Sequence, residues 1–212
     1  SKLGQQKALL GFAGSPWTLA CYMIDGGSNA GFPKTIDWAT NHPHKFNRLM
    51  EKITLAITKY IQMQIKCGID AVQIFDSWQS LCPTQNAWEW SLKWIHEIIN
   101  NLESTTPVIL YAKCSSERIQ LLRKTEASGL SVSHEVDLPS LRKSLPTNYL
   151  LQGNLAPELL ETNSGKVREE TIEFLKAMQN DPAHILNLGH GIRPTAKVEC
   201  MEALVQTVTS YP

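Results

Sequence analysis

The stretch 11–27, GFAGSPWTLACYMIDGG, decides the fold predicted for this chain. An apolar run, 8–13, leads into it and ends in a Gly-Ser-Pro turn, and the helical pattern that follows closes on two glycines. This order predicts a buried strand whose carboxyl end turns sharply into a helix. The N–H groups of that helix and the side chains of Ser15, Thr18 and Tyr22 are then expected at the carboxyl end of the strand, where α/β proteins bind their ligands.

The rest of the chain repeats this alternation of apolar strand and helix. Six strands are predicted, each followed by a helix, at 8–13, 70–75, 107–112, 130–133, 148–152 and 183–188. The longer helical patterns cover 43–66, 86–103, 166–179 and 196–209. Such an alternation indicates an α/β protein with a parallel sheet and right-handed crossovers.

Two architectures fit this alternation, a (β/α)8 barrel and a doubly wound open sheet. Polar residues follow most of the strands, which favours the barrel, because a barrel assembles its active site at the carboxyl ends of its strands. A barrel of this kind needs eight strands. Either the sheet is open, or the chain is short by two βα units at its N-terminus.

The composition excludes several classes of function. At 212 residues the chain is predicted to form one domain, 1–212, with a sizeable core. Lys plus Arg and Asp plus Glu both total 20, which argues against a nucleic-acid partner. No apolar run approaches the length of a membrane span, and the first residues lack the apolar core of a secretory signal.

The five cysteines are scattered, with no C-x-x-C pair and no compact Cys/His cluster. We therefore expect reduced, structural cysteines in a cytoplasmic protein, and no metal site.

Three polar residues that follow predicted strands are candidates for chemistry. His190 lies between two glycines after the last strand, where it either donates to a carboxylate or belongs to a simple turn; the same glycines could form a weak phosphate cup. Ser77 follows the second strand without a G-x-S-x-G elbow, which favours a hydrogen-bond donor to a ligand over a nucleophile. Its neighbour Asp76 is expected to be structural, with a general base as the alternative.

Two further residues leave alternatives open. Tyr22 lies one helical turn beyond Thr18 and faces either the core or a cleft. Lys113 follows the third strand, a position where barrel aldolases carry a Schiff-base lysine, although a surface or ion-paired lysine is commoner. The remaining histidines show no metal-ligand spacing.

Four blocks at the strand ends together resemble the uroporphyrinogen decarboxylase family. They are the opening stretch, 71–77 (AVQIFDS), 151–155 (LQGNL) and 187–194 (NLGHGIRP), and they follow in order along essentially the whole chain. The resemblance implies a (β/α)8 TIM barrel that acts as a cytoplasmic homodimer without a cofactor. It implies removal of the four acetate carboxyls of uroporphyrinogen, which gives coproporphyrinogen in haem biosynthesis.

The resemblance also implies roles for individual residues. Tyr22, Ser77 and His190 match family residues that hydrogen-bond the carboxylate side chains of the substrate, and Phe75 matches an aromatic residue that lines the cleft. The family's catalytic aspartate and its Arg-Gln-Ala-Gly-Arg-Tyr segment have no match, so no catalytic residue is assigned in this chain.

The six strands are therefore expected to correspond to strands three to eight of the family barrel, and the chain alone is expected to have no decarboxylase activity. The alternative is a non-catalytic, truncated remnant of that enzyme.

Two features depart from related patterns. Ser133-His134-Glu135 stands where the family usually has a segment of the Asp-Trp-Thr type, which leaves the packing around that strand open. A related branch, the corrinoid methyltransferases, holds zinc with a His-x-Cys and a later Cys. Here the matching positions are Ala112, Cys114 and His190, so two of the three ligands are missing.

Overall fold

A computed structural model of the 212-residue chain describes residues 7–27, 31–103, 105–113, 118–179 and 181–212. The chain divides into two compact units, Ser1–Leu130 and Ser131–Pro212. The single domain expected over 1–212 stays a prediction. In the part of the chain that is described, no helix is both long enough and apolar enough to cross a membrane.

In the described residues, at least one helix follows each strand before the next strand begins. In the first unit they are β1 (Leu10–Gly14), α1 (Pro16–Asp25), α2 (Pro33–Asn41), α3 (Pro43–Lys66), β2 (Ala71–Asp76), α4 (Lys93–Asn100), β3 (Val108–Ala112) and α5 (Ile119–Arg123). Two 3₁₀ turns, Gln79–Leu81 and Thr84–Asn86, and a π-helical turn, Trp88–Leu92, lie between β2 and α4. Strand β4 (Gly129–Val132) spans the boundary, and the second unit continues with α6 (Leu138–Lys143), β5 (Leu150–Gln152), a 3₁₀ turn (Pro157–Glu161), α7 (Ser164–Ala177), β6 (His184–Ile185) and α8 (Val198–Ser210).

The first unit is built on three adjacent parallel strands. Gly14 of β1 stands opposite Phe75 of β2, and Phe75 stands opposite Tyr111 of β3. The N–H of Ser15 donates to the carbonyl of Phe75 at 2.8 Å, which carries the pairing one residue past β1. The carboxyl ends of these strands therefore stand level, as the α/β prediction requires.

The turn from β1 into α1 has the local structure predicted for it. Ser15 has extended backbone angles and caps the helix, because its Oγ accepts from the N–H of Thr18 at 3.0 Å. Pro16 occupies the first turn, where its missing N–H costs nothing. The helix ends at Gly26, whose φ of 82° is readily adopted only by glycine.

The outer edge of β1 is capped by a side chain of α3. Leu9 and Ser15 bond toward β2, so the N–H and C=O of Phe12, which alternate with them, point to the opposite edge. Gln64 bonds both groups: its Oε1 accepts from the Phe12 N–H at 2.9 Å, and its Nε2 donates to the Phe12 carbonyl at 3.0 Å.

The second unit has shorter strands and a helical core. Leu151 of β5 pairs in parallel with His184 of β6, and helices α7 and α8 enclose an apolar cluster. Its buried members are Leu155, Leu159, Leu160, Val167, Leu188, Cys200, Ala203 and Leu204.

The predicted last strand, 183–188, is mostly not strand. Only His184–Ile185 forms a ladder, followed by an isolated bridge between Leu155 and Leu188. Backbone bonds to the preceding strand nevertheless continue past the ladder, since the N–H of Leu155 donates to the carbonyl of Asn187 at 3.1 Å and the N–H of Gly189 donates to that of Leu155 at 2.8 Å.

One predicted helix also differs in its details. The pattern over 86–103 is interrupted by the π-helical turn before α4 begins at Lys93.

Candidate functional site

A buried carboxylate organises the strand ends of the first unit. Asp76, the last residue of β2, is fully buried and accepts hydrogen bonds from three hydroxyls. Its Oδ1 accepts from Ser15 Oγ at 2.7 Å and from Thr18 Oγ1 at 3.1 Å, and its Oδ2 accepts from Ser91 Oγ at 2.5 Å. One side chain thus ties the end of β2 to the start of α1 and to the π-helical turn. This is the structural role expected for Asp76.

The charge of Asp76 is stabilised mainly by neutral donors. Burial raises the pKa of this carboxyl above its ordinary value, and the three hydroxyls and the charge of Arg118 act in the opposite direction. Because the group is fully buried, it cannot touch a ligand. Its burial argues against a role as general base on a bound substrate.

Tyr22 packs against other aromatic side chains near the surface of this region and does not lie in the core. Its side chain on α1 is 38% exposed. Its ring packs edge-on against Phe32 and against Trp78, with centroid distances of 6.1 Å and 6.2 Å. Of the two alternatives left open for Tyr22, the exposed cleft position fits this geometry.

Phe75 belongs to a row of aromatic rings across three strands. It lies 6.5 Å from the ring of Phe12 on β1 and 5.7 Å from that of Tyr111 on β3. Phe12 is 61% exposed, so the row opens to solvent at its β1 end. The sequence pattern did not single out Phe12, since an alternating strand residue next to a glycine gives no signal of exposure.

The segment after β2 carries Ser77 and is held from two sides. Ser77 is half-buried, and its neighbour Trp78 accepts at its carbonyl from Trp17 Nε1 at 3.0 Å. Arg118 donates to the Gln79 carbonyl at 2.8 Å, to Gln79 Oε1 at 3.0 Å and to Thr84 Oγ1 at 2.7 Å. Ser77 therefore lies between two fixed points of the chain. Arg118 was not predicted, because a contact over 39 residues has no local sequence signal.

Two buried cysteines of this unit are poor nucleophiles. Cys21 and Cys82 are buried, and burial raises the pKa of both thiols well above its ordinary value. Among the described cysteines all are free thiols, as expected; Cys114 lies outside the described residues.

His190 belongs to the second unit and lies just after the bridge residue Leu188. The side chain is exposed, and its Nδ1 accepts from the N–H of Gly191 at 2.8 Å. An accepting Nδ1 assigns the neutral ring the tautomer with its proton on Nε2. The imidazole can then donate from Nε2 to a carboxylate without becoming charged.

The N–H groups of the two glycines beside His190 donate hydrogen bonds within the protein. The N–H of Gly189 donates to the carbonyl of Leu155 at 2.8 Å, and the N–H of Gly191 donates to His190. A phosphate cup would need these donors, so that alternative is not supported. Gly189 also lies against the backbone of His134, where a Cβ would come within 2.7 Å of the His134 Cα.

The charged residues near this turn pair with one another. Arg193 forms ion pairs with Glu158 and, at 3.8 Å, with Glu161. A backbone hydrogen bond lowers the pKa of the Glu158 carboxyl, and Arg193 acts in the same direction. Arg193 is thus already engaged by two carboxylates of its own unit.

Two other sequence-based alternatives gain no support. Lys113 follows β3 directly and is half-buried, but no carbonyl chemistry follows from that position alone. Within the described ranges, no three His, Cys, Asp or Glu side chains come together as a metal site.

Six strands in one sheet that alternate with helices, and polar and aromatic residues at the carboxyl ends of the parallel strands, define this chain as an α/β protein. The sequence model of the family described as uroporphyrinogen decarboxylase (URO-D) matches residues 1–211. The chain belongs to the uroporphyrinogen decarboxylase family.

Curated relatives with that name agree. The chain is 35% identical over 210 residues to uroporphyrinogen decarboxylase of Legionella pneumophila strain Paris, covering 98% of this chain and 60% of the relative. It is 37% identical over 205 residues to the Nitrosococcus oceani protein, covering 94% and 57%, respectively. It is 35% identical over 206 residues to the Aquifex aeolicus protein, covering 96% and 60%. The chain thus spans about 60% of the length of the curated relatives it matches.

Solved structures show the same fold at low sequence identity. A methyltransferase from Methanosarcina mazei has a TM-score of 0.81 at 19% identity, over 97% of this chain and 59% of its own. Dihydropteroate synthase from Xanthomonas albilineans has a TM-score of 0.57 at 10% identity, over 97% of this chain and 68% of its own. These likenesses concern the fold alone, and they confirm the predicted TIM-barrel class over the open sheet.

Proposed function

We propose that this chain forms the substrate-binding part of a uroporphyrinogen decarboxylase, which removes the four acetate carboxyls of uroporphyrinogen to give coproporphyrinogen. The observation that carries the proposal is the strand-end surface of the first unit. There, the phenol of Tyr22 is exposed beside Trp78, while Phe75 and Ser77 flank the buried Asp76.

The chemistry of the substrate suits these residues. Uroporphyrinogen carries carboxylate arms on an apolar macrocycle, so a site for it needs neutral donors for the arms and aromatic surface for the rings. Tyr22 and Ser77 supply hydroxyl donors, and the row of Phe12 and Phe75 supplies the surface. His190 of the second unit supplies an Nε2–H donor.

The reaction asks the protein mainly to orient the substrate and to stabilise charge. Loss of CO₂ leaves an electron pair that a protonated pyrrole ring accepts, so no electron sink outside the substrate is required. Hydroxyl donors that hold the carboxylate arms in place lower the entropic part of the barrier.

The proposal includes a cytoplasmic protein that works without a cofactor and that forms a homodimer where the barrel is complete, as the family resemblance implies. It also keeps the expectation that these 212 residues alone do not turn over substrate. The non-catalytic remnant is not favoured, since the family match extends over nearly the whole chain.

Binding of uroporphyrinogen under anaerobic conditions, followed by tryptophan fluorescence, tests the proposal. We expect saturable binding, and each of Tyr22→Phe, Ser77→Ala and His190→Gln should weaken it about tenfold, the effect of one charge-assisted hydrogen bond. Tyr60→Phe is the matched control, because Tyr60 is 46% exposed in the same unit, on α3. Equal losses in Tyr22→Phe and Tyr60→Phe, or no binding by the wild type, would contradict the proposal.

Activity is measured on the same preparation after its intact mass has been determined. If the mass is the 23.7 kDa of this chain, we expect bound substrate but no product with fewer carboxyl groups. Turnover at that mass would overturn the expectation that the chain alone is inactive. Light scattering of the same sample gives the oligomeric state, and a monomer of a mass that corresponds to a complete barrel would contradict the proposed dimer.

A further inference from the structure

The carboxylate of Asp76 connects the two candidate donors of the first unit although it touches neither. Ser77 is the next residue along the chain, one peptide bond away. Tyr22 lies one helical turn beyond Thr18, whose hydroxyl donates to Asp76 Oδ1 at 3.1 Å. Both paths from the carboxylate to a donor are therefore short and rigid.

The bonds of Asp76 are divided between two elements. Oδ1 holds α1 through Ser15, which is the helix cap, and through Thr18 in the first turn. Oδ2 holds the π-helical turn through Ser91. The placement of α1 against the end of β2 thus depends on the bonds to Oδ1. The bond from Ser91 to Oδ2 instead places the π-helical turn.

If the position of Asp76 contributed only to stability, an apolar side chain would suffice there. Burial of a carboxylate is unfavourable unless its hydrogen bonds are made, and apolar side chains fill such positions at lower cost. A carboxylate can accept several hydroxyls in directions that an apolar side chain cannot define. What the buried carboxylate provides is a defined geometry between α1 and β2.

We propose that Asp76 is a positioning residue: its buried carboxylate fixes α1, which carries Tyr22, against the end of β2, which leads into Ser77, and so sets how these two donors meet the carboxylate arms of the substrate. This inference rests on the proposed function for the identity of the substrate. The positioning itself is a property of the chain and is measured without substrate.

The first measurement is the fluorine NMR spectrum of the full chain labelled with fluorotyrosine. The chain has five tyrosines, and Tyr22→Phe and Tyr60→Phe assign two of the resonances. In Asp76→Asn the amide oxygen still accepts from Ser15 and Thr18, so the Tyr22 resonance should stay in place. In Asp76→Ala it should shift or broaden, while that of Tyr60 stays unchanged.

A second pair of variants covers the case in which Asp76→Ala does not fold. Thr18→Val keeps the shape of the side chain and removes one donor to Oδ1, whereas Ser91→Ala removes the donor to Oδ2. We expect Thr18→Val to move the Tyr22 resonance and Ser91→Ala to leave it. Equal effects of the two variants, or an unchanged Tyr22 resonance in Asp76→Ala, would overturn the inference.

Binding of uroporphyrinogen gives the functional readout. Asp76→Ala should bind uroporphyrinogen about tenfold more weakly, because the displaced hydroxyls of Tyr22 and Ser77 can no longer bond two carboxylate arms of the substrate at the same time. Asp76→Asn should recover most of the affinity. Equal weakening by the two variants would overturn the positioning role. If the wild type does not bind, the proposed function fails, while the fluorine spectra still decide whether Asp76 places Tyr22.

Discussion

The two units hold their strand-end residues in different ways. In the first unit a buried carboxylate with three hydroxyl donors fixes the surroundings of Tyr22 and Ser77. In the second unit His190 is exposed on a turn that is kept in place by backbone contacts, with Gly189 against His134. A side-chain network tolerates changes that keep its hydrogen bonds, whereas a backbone contact tolerates no added atom.

The largest effect is expected from removing the network altogether. Asp76→Leu leaves three buried hydroxyls without their acceptor, and we expect a loss of about 3 kcal/mol in the free energy of unfolding, measured in urea. Asp137→Ala is the control in the second unit. Asp137 is an exposed helix cap that accepts from the N–H and hydroxyl of Ser140, so its loss should be clearly smaller. Equal losses would mean that burial of Asp76 adds nothing.

The backbone contact is tested by a single methyl group. Gly189→Ala would bring a Cβ within 2.8 Å of the His134 side chain and closer still to its backbone nitrogen, so the turn must move, at a cost of about 2 kcal/mol. Gly191→Ala is matched to it, since nothing lies within 4 Å of a Cβ there, and its effect should stay within about 0.5 kcal/mol. Thermal unfolding of the two variants measures the difference. Similar melting temperatures would show that the turn at Gly189 yields freely.

The charge of the network gives a pH dependence with a definite sign. Burial raises the pKa of Asp76 in the folded chain, so the folded state binds more protons than the unfolded state between the two pKa values. The wild type should therefore lose stability relative to Asp76→Asn as the pH rises above about 4, until the raised pKa is passed. Urea unfolding of both proteins across this range gives the difference. If the free energy of unfolding of the wild type, relative to that of Asp76→Asn, stayed constant or rose with pH, the raised pKa of Asp76 would be contradicted.

The smallest expected effect concerns the ring of His190. With Nδ1 accepting from Gly191, nitrogen NMR of the neutral ring should show Nε2 as the protonated nitrogen. A majority with the proton on Nδ1 would show that the turn does not orient this side chain.

Local structure was predictable where its causes are close in sequence. The Ser15 cap, the proline in the first turn and the glycine at the end of α1 all lie within one stretch, and that helix was predicted correctly. The strand predicted at 70–75 was found at Ala71–Asp76 for the same reason, since an apolar run bounded by turns is a local signal.

What could not be predicted depends on partners far apart in the chain. Ser91 donates to Asp76 from 15 residues away, on a π-helical turn that periodicity does not reveal. The shortness of β6 was also not predicted, because the apolar pattern over 183–188 is that of a longer strand. The residue roles in the site came from the family resemblance, and they stay predictions until binding is measured.

Gln64 gives the outer edge of β1 an unusual property. Its amide bonds the N–H and the C=O of Phe12 as a neighbouring strand would. A strand that adds at this point must therefore exchange two hydrogen bonds for two others, and the net gain is small. The Gln64 side chain covers this edge and can move away from it. An added strand would therefore replace the Gln64 amide, and the amide could replace the strand in turn.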